Sequence, residues 1–192
     1  MIFPPCTDGP RLGLGGAPLG NLFTAIDDAA ALKLLLSAWD AGCRTFDTAP
    51  HYGNGLSEHR IGRFLRNLPR TAFVLSTKVG RLLTPDAAAP RNQNSYVDVL
   101  PFTQRWDYSA AGVQRSIEDS LQRLGLATLD VAYIHDCDAT VHGANYPRVL
   151  RQAMESLMIF YDLRGPFQEG HAAFREASTR VQEAWLALSE AA

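Results

Sequence analysis

The feature that most constrains the fold is a regular alternation of short apolar strands with amphipathic helices. Four strand–helix units follow one another, and such alternation predicts a parallel sheet covered by helices. The predicted strands cover residues 11–19, 44–49, 72–77 and 129–134, and the helices that follow them cover 27–42, 57–68, 109–125 and 146–157.

Short polar residues and a glycine set the predicted ends of these helices. Asp27 or Asp28, Ser57 and Ser109 are the predicted N-caps, because their side chains accept hydrogen bonds from the free N–H groups of a first turn. Gly125 is a predicted helix stop, since glycine adopts the left-handed conformation that ends many helices.

The second unit encloses two ionisable residues in a tight turn. Residues 41–65 read AGCRTFDTAPHYGNGLSEHRIGRFL, in which Gly53 and Gly55 break the chain between a strand and a helix. Asp47 and Tyr52 therefore lie where the strand passes into the helix.

Two further ionisable residues follow the later strands. Lys78 and His135 close the third and fourth strands as Asp47 closes the second, and the carboxyl ends of strands in a parallel strand–helix barrel meet at one mouth. A phenol titrates near pH 10, so Tyr52 needs a nearby cation such as Lys78 to act as an acid or base at neutral pH. Taken singly, Lys78 or His135 is more often a strand-end residue paired to a loop, and Asp47 before Thr48 is consistent with a turn cap. Their conjunction favours a catalytic group.

These residues resemble the aldo-keto reductase family, over residues 11 to about 156. The segments GLGGAPLGNLF and DYSAAGVQRSIEDSLQRLG are similar to its bacterial aldose and pyridoxal dehydrogenase branch. The matching positions are Gly42, Arg44, Phe46-Asp47-Thr48-Ala49, Tyr52-Gly53, Ser57-Glu58 and Ile61-Gly62.

The resemblance implies an α/β fold of the TIM-type (β/α)8 barrel, of which the sequence shows the first four units plus a C-terminal helix. It implies NAD or NADP as cofactor, because no side chain donates a hydride, and a small-molecule carbonyl or sugar as substrate. The resemblance implies that Asp47, Tyr52, Lys78 and His135 are catalytic. We also predict that Asp47, Gly20 and Asn21 bind the cofactor and that His51, Asn54 and Trp106 bind the substrate.

The domain expectation is one domain over residues 1–192. It consists of a half-barrel at 11–157 and an unmatched tail at 158–192 with a terminal helix near 172–188. A complete barrel needs eight units in about 250 residues, so the sequence suggests a truncated or frameshifted chain, or two chains that pair. Open edges at the first and fourth strands favour self-association.

Composition limits the kinds of binding partner that the chain is expected to have. The 192 residues are 46% hydrophobic with a formal charge of −2, which favours one globular domain and neither nucleic acid nor membrane as partner. Three widely spaced cysteines favour a reducing, cytoplasmic location. We expect no metal at the cluster His135-Asp136-Cys137-Asp138 with His142, because adjacent residues of a strand point to opposite faces and cannot all reach one ion.

Residues 80–108 form a long predicted loop that contains several aromatic residues, which are Tyr96, Phe102, Trp106 and Tyr108. Loops of this length are functional or disordered. The aromatic residues favour a lid or substrate wall, with surface packing under the loop as the alternative.

Two other functions are open at this point. The chain could be a non-catalytic fragment that survives as a binding or oligomerising module. A phosphate-binding half-barrel that uses Gly13, Gly15 and Gly16 is weaker. Pro18 replaces the last glycine of the dinucleotide pattern, and the following helix has no phosphate-binding lysine near that loop.

Overall fold

The structure is a computed structural model that describes residues 12–164. The helix expected near 172–188 lies outside the described residues. Among residues 12–164 no helix is long and apolar enough to cross a bilayer. The elements are β1 Gly13–Gly15, α1 Asp28–Asp40, β2 Thr45–Asp47, α2 Leu56–Leu65, β3 Val74–Val79, β4 Arg81–Pro85, β5 Phe102–Trp106, α3 Ala110–Leu124, β6 Val131–Ile134, α4 Ala139–His142 and α5 Tyr146–Arg164.

The main sheet has four strands in the order β1-β2-β3-β6, and every neighbouring pair is parallel. The register places Gly15 beside Asp47 and Asp47 beside Ser76. Each strand is joined to the next one in this sheet through at least one helix. The predicted parallel strand–helix sheet is confirmed.

The core lies between this sheet and helices α1, α2 and α3. Phe46 and Leu75, at the centre of β2 and β3, are fully buried against Leu35, Ile61 and Leu124. Each such side chain contributes about 1.5–3 kcal/mol when it leaves water. A second cluster packs α3 and α5 against the sheet and consists of Val79, Val113, Ile117 and Leu157.

Three of the predicted helix ends are confirmed. The side chain of Asp27 accepts a hydrogen bond from the N–H of Ala30 at 2.7 Å, and that of Ser109 accepts one from Gly112 at 3.1 Å. Gly125 ends α3 with a φ of 65°.

The prediction for Ser57 is wrong. Helix α2 begins at Leu56, and its N-cap is Gly55, whose φ of 92° disfavours residues with a side chain. Ser57 is instead a buried helical residue whose hydroxyl donates to the carbonyl of Gly16 at 2.7 Å and accepts from Thr48 at 2.9 Å. It ties the ends of β1 and β2 together.

The predicted loop at residues 80–108 is an ordered β-hairpin. Strands β4 and β5 pair antiparallel from Arg81 with Trp106 to Pro85 with Phe102. The connection between them reaches back to the segment after β1, where the N–H of Val97 donates to the carbonyl of Asn21 at 3.0 Å. The hairpin therefore forms one wall beside the carboxyl ends of the strands.

Candidate active site

The strand ends bring the four predicted catalytic residues to one place. Asp47 is the last residue of β2, Lys78 is the fifth residue of β3, and His135 follows β6 directly. The N–H of His135 donates to the carbonyl of Val79 at 3.0 Å, which extends the ladder to the histidine. Tyr52 lies in the turn between β2 and α2.

Asp47 and Lys78 form an ion pair at the centre of this group. Lys78 Nζ lies 2.6 Å from Asp47 Oδ2, and it donates a second hydrogen bond to the carbonyl of Thr48 at 3.0 Å. Ser76 donates to the other carboxylate oxygen at 2.7 Å. Lys78 Nζ also lies 4.6 Å from the centre of the Tyr52 ring. The ammonium therefore faces the aromatic ring of the tyrosine that was predicted to be catalytic.

Several aromatic side chains surround Tyr52. The rings of His135 and Tyr52 meet edge to face with centres 5.9 Å apart, and Tyr96 of the hairpin connection stacks on Tyr52 at 6.0 Å. His51 lies 5.5 Å from His135 and 5.2 Å from Tyr96, measured between ring centres. Tyr96 is buried, and this burial raises the pKa of its phenol well above its usual value.

His135 is held neutral by its surroundings. Burial lowers the pKa of His135 to about 3; the Asp136 carboxylate opposes this, and the positive charges of Arg81 and Lys78 add to it. Its Nε2 lies 3.7 Å from Asp136 Oδ2. Its Nδ1 is buried and has no hydrogen-bond partner among residues 12–164, so this ring has unused hydrogen-bonding capacity.

Gly20, which is predicted together with Asn21 to bind the cofactor, packs closely against the Tyr52 turn. A Cβ at position 20 would lie 2.4 Å from the carbonyl carbon of Tyr52. Asn21 is buried, and its side-chain oxygen accepts from the N–H of Ile26 at 3.2 Å and from Arg60 at 2.8 Å. Both residues also pack within the fold, and their binding of the cofactor stays a prediction.

Asn54, predicted to bind substrate, makes three side-chain hydrogen bonds within the fold. Its Nδ2 donates to the carbonyls of Leu100 and Phe102 at 3.1 and 2.6 Å, and its Oδ1 accepts from Gln104 at 2.6 Å. The residue is 1% exposed. It anchors the hairpin to the Tyr52 turn, and its predicted contact with substrate stays a prediction.

Trp106 belongs to the wall that the hairpin forms. It stacks on Tyr108 with ring centres 5.7 Å apart, and the guanidinium of Arg81 lies 3.8 Å from its ring centre. The hydroxyl of Tyr108 in turn donates to the carbonyl of His135 at 2.6 Å. The hairpin is thereby connected to the strand end that presents His135.

Sequence reasoning missed Arg81, Gln104 and Asp136. Arg81 forms an ion pair with Asp136 and donates to Gln104 Oε1 at 2.7 Å. Asp136 has a left-handed backbone with a φ of 47°, which is uncommon for residues other than glycine. The available signal was two opposite charges placed just beyond strand ends that were expected to converge.

Comparison with known proteins gives the family. The aldo/keto reductase family model matches residues 11–192, a range that includes the segment 158–192 left unmatched above. D-threo-aldose 1-dehydrogenase of Pseudomonas sp. is 48% identical over 134 residues, covering 66% of this chain and 40% of that protein. Pyridoxal 4-dehydrogenase of Microbacterium luteolum is 45% identical over 140 residues, covering 68% of this chain and 41% of that protein.

A solved structure supports the same family assignment. An aldo-keto reductase from Klebsiella pneumoniae in complex with NADPH matches 77% of this chain and 40% of its own, with a TM-score of 0.52 and 25% identity. The chain thus spans about two fifths of the length of the curated relatives it matches. Its strand–helix units are those of the TIM-type barrel, and the chain belongs to the aldo/keto reductase family.

Proposed function

We propose that this chain carries the catalytic centre of an NAD- or NADP-dependent oxidoreductase that interconverts a carbonyl and an alcohol on an aldose or a pyridoxal-type substrate. The observation that supports this most is the Asp47–Lys78 ion pair at 2.6 Å, whose ammonium faces the ring of Tyr52. The names of the two curated relatives support the substrate class.

In this proposal Tyr52 gives the proton to the substrate oxygen during reduction and takes it during oxidation. Lys78 stabilises the negative charge that develops on the phenol oxygen, because an ammonium near a forming anion lowers its energy in a partly dry site. Asp47 holds the ammonium in place, with Ser76 fixing the carboxylate. Neutral His135 keeps one ring N–H, which binds the substrate oxygen beside Tyr52.

The residues at the mouth fit a nicotinamide. The side chain of Asp47 is 34% exposed, and a carboxylate has acceptor sites beyond the two that Ser76 and Lys78 use, so Asp47 would border the bound cofactor. When bound, the nicotinamide supplies or accepts the hydride. The NADPH complex of the Klebsiella pneumoniae relative supports this cofactor class.

The test measures cofactor binding and turnover separately. NADH and NADPH are titrated by fluorescence, and turnover is followed by nicotinamide absorbance with L-fucose, D-arabinose and pyridoxal. We expect Tyr52→Phe to abolish turnover with little effect on cofactor binding, because only the proton-transfer atom is lost. Tyr146→Phe, which removes the same atom at the start of α5, is the matched control and should retain activity.

Other outcomes would contradict the proposal. Equal turnover by wild type and Tyr52→Phe would remove Tyr52 from the reaction. Absence of both cofactor binding and turnover in the wild type would favour the non-catalytic binding or oligomerising module. In the described sheet β1 and β6 each have one strand neighbour, and sedimentation velocity would then show whether the chain self-associates through these edges.

A further inference from the structure

A chain of hydrogen bonds links the hairpin to His51, and its direction follows from its two ends. At one end, Asn54 Nδ2 lies 3.1 and 2.6 Å from the carbonyl oxygens of Leu100 and Phe102. Carbonyl oxygens only accept, so the amide nitrogen of Asn54 faces them and its oxygen faces Gln104. Gln104 therefore donates through its own nitrogen, at 2.6 Å.

The other end fixes the same direction independently. Gln104 Oε1 accepts from Arg81 at 2.7 Å, and a guanidinium only donates. The same oxygen lies 2.9 Å from His51 Nδ1. Because this oxygen is an acceptor, Nδ1 must carry the hydrogen, and in the neutral ring Nε2 then holds a lone pair.

The surroundings of His51 favour its neutral form. Burial lowers the pKa of its imidazole, and the positive charge of Arg81 lowers it further, although the hydrogen bond to Gln104 opposes them. Among the described residues, Nε2 has no hydrogen-bond partner, and the ring lies 6.3 Å from Tyr52 between centres. An unoccupied acceptor thus stands beside the proposed proton donor.

We infer that hairpin β4–β5, through Gln104, holds His51 in the Nδ1–H tautomer so that its Nε2 accepts a hydrogen bond from a substrate hydroxyl close to the reacting carbon. This inference rests on the proposed function and narrows it to hydroxylated carbonyl substrates such as aldoses. His51 is the specificity residue, and Gln104 is a positioning residue that acts through it.

The tautomer is tested without any turnover. Long-range ¹H–¹⁵N NMR distinguishes the two ring nitrogens, and the His51 signals are assigned by their loss in His51→Gln. We expect wild type to show the Nδ1–H form and Gln104→Ala to shift the ring towards the Nε2–H form. Gln114→Ala, which changes an exposed glutamine of α3, is the matched control and should leave His51 unchanged.

The hydroxyl contact is tested with two sugars. D-arabinose should move the His51 Nε2 resonance, whereas 2-deoxy-D-ribose, which lacks the 2-hydroxyl, should move it less. Loss of one hydrogen bond predicts a roughly tenfold weaker binding of D-arabinose to Gln104→Ala, with little change for the deoxy sugar.

Three results would overturn the inference: a wild-type ring already in the Nε2–H form, a tautomer unaffected by Gln104→Ala, or identical responses to the two sugars. If the NMR results hold but no turnover is found, the catalytic proposal fails and the hydroxyl contact stands. The two ideas can therefore fail separately.

Discussion

Replacing Gly62 with alanine tests whether the contact between α2 and α3 is as close as the structure shows. Gly62 is buried in the interior of α2. Helix propensity alone predicts that alanine stabilises such a position by about 1 kcal/mol. The structure predicts instead that alanine at position 62 destabilises the protein.

The reason is the backbone of Leu124 at the end of α3. A Cβ at position 62 would lie 2.1 Å from the carbonyl oxygen of Leu124 and 2.5 Å from its Cα. Backbone atoms inside a helix cannot turn aside as a side chain does, so the two helices must separate. Overpacking costs about 1–3 kcal/mol, and we expect a clash with backbone atoms to cost about 3 kcal/mol. Subtracting the gain of about 1 kcal/mol in propensity leaves a net loss of about 2 kcal/mol.

Urea unfolding followed by circular dichroism measures this loss, and the melting temperature should fall by about 4–8 °C. Ser37→Ala, at an exposed position of α1, is the control, and we expect a gain of no more than about 0.5 kcal/mol because only propensity changes. If Gly62→Ala were as stable as the wild type, the close helix contact would be refuted.

Three further changes have defined outcomes. The buried carboxylate of Glu58 accepts from Thr77 at 2.8 Å and Arg123 at 2.6 Å, so Glu58→Ala should lower the free energy of unfolding by about 3–5 kcal/mol, as urea titration would show. Folding lowers the pKa of His135, so its contribution to stability is complete above pH 6.5. Below that, the free energy of unfolding falls by up to about 1.4 kcal/mol per pH unit as the pH drops towards 3. Urea titrations between pH 7 and 4.5 should therefore show that the free energy of unfolding depends less on pH in His135→Gln than in the wild type. Asp27→Ala removes the N-cap of α1 and should cost about 1 kcal/mol in the same assay, and an unchanged unfolding midpoint would mean that the cap is not formed in solution.

Local patterns in the sequence were sufficient to predict the strands of the main sheet and the convergence of their carboxyl ends. Periodicity and short polar caps act over a few residues, so Asp27, Ser109 and Gly125 could be identified as helix ends before the fold was known. Strand-end placement of Asp47 and Lys78 then follows from the geometry of a parallel sheet, because all strands point the same way.

Only the tertiary structure decided what surrounds those residues. The hairpin joins strands separated by a long connection, Asn54 meets Gln104 across 50 positions, and Arg81 meets Asp136 across 55. A polar residue in a turn has the same local appearance whether it faces a ligand or a distant backbone carbonyl. The internal hydrogen bonds of Asn54 and Asn21, two residues predicted to bind ligands, therefore had no signal in the sequence. Burial favours the neutral state of His135. Long-range contacts of Gln104 with Asn54 and Arg81 set the direction of the hydrogen bonds that end at His51.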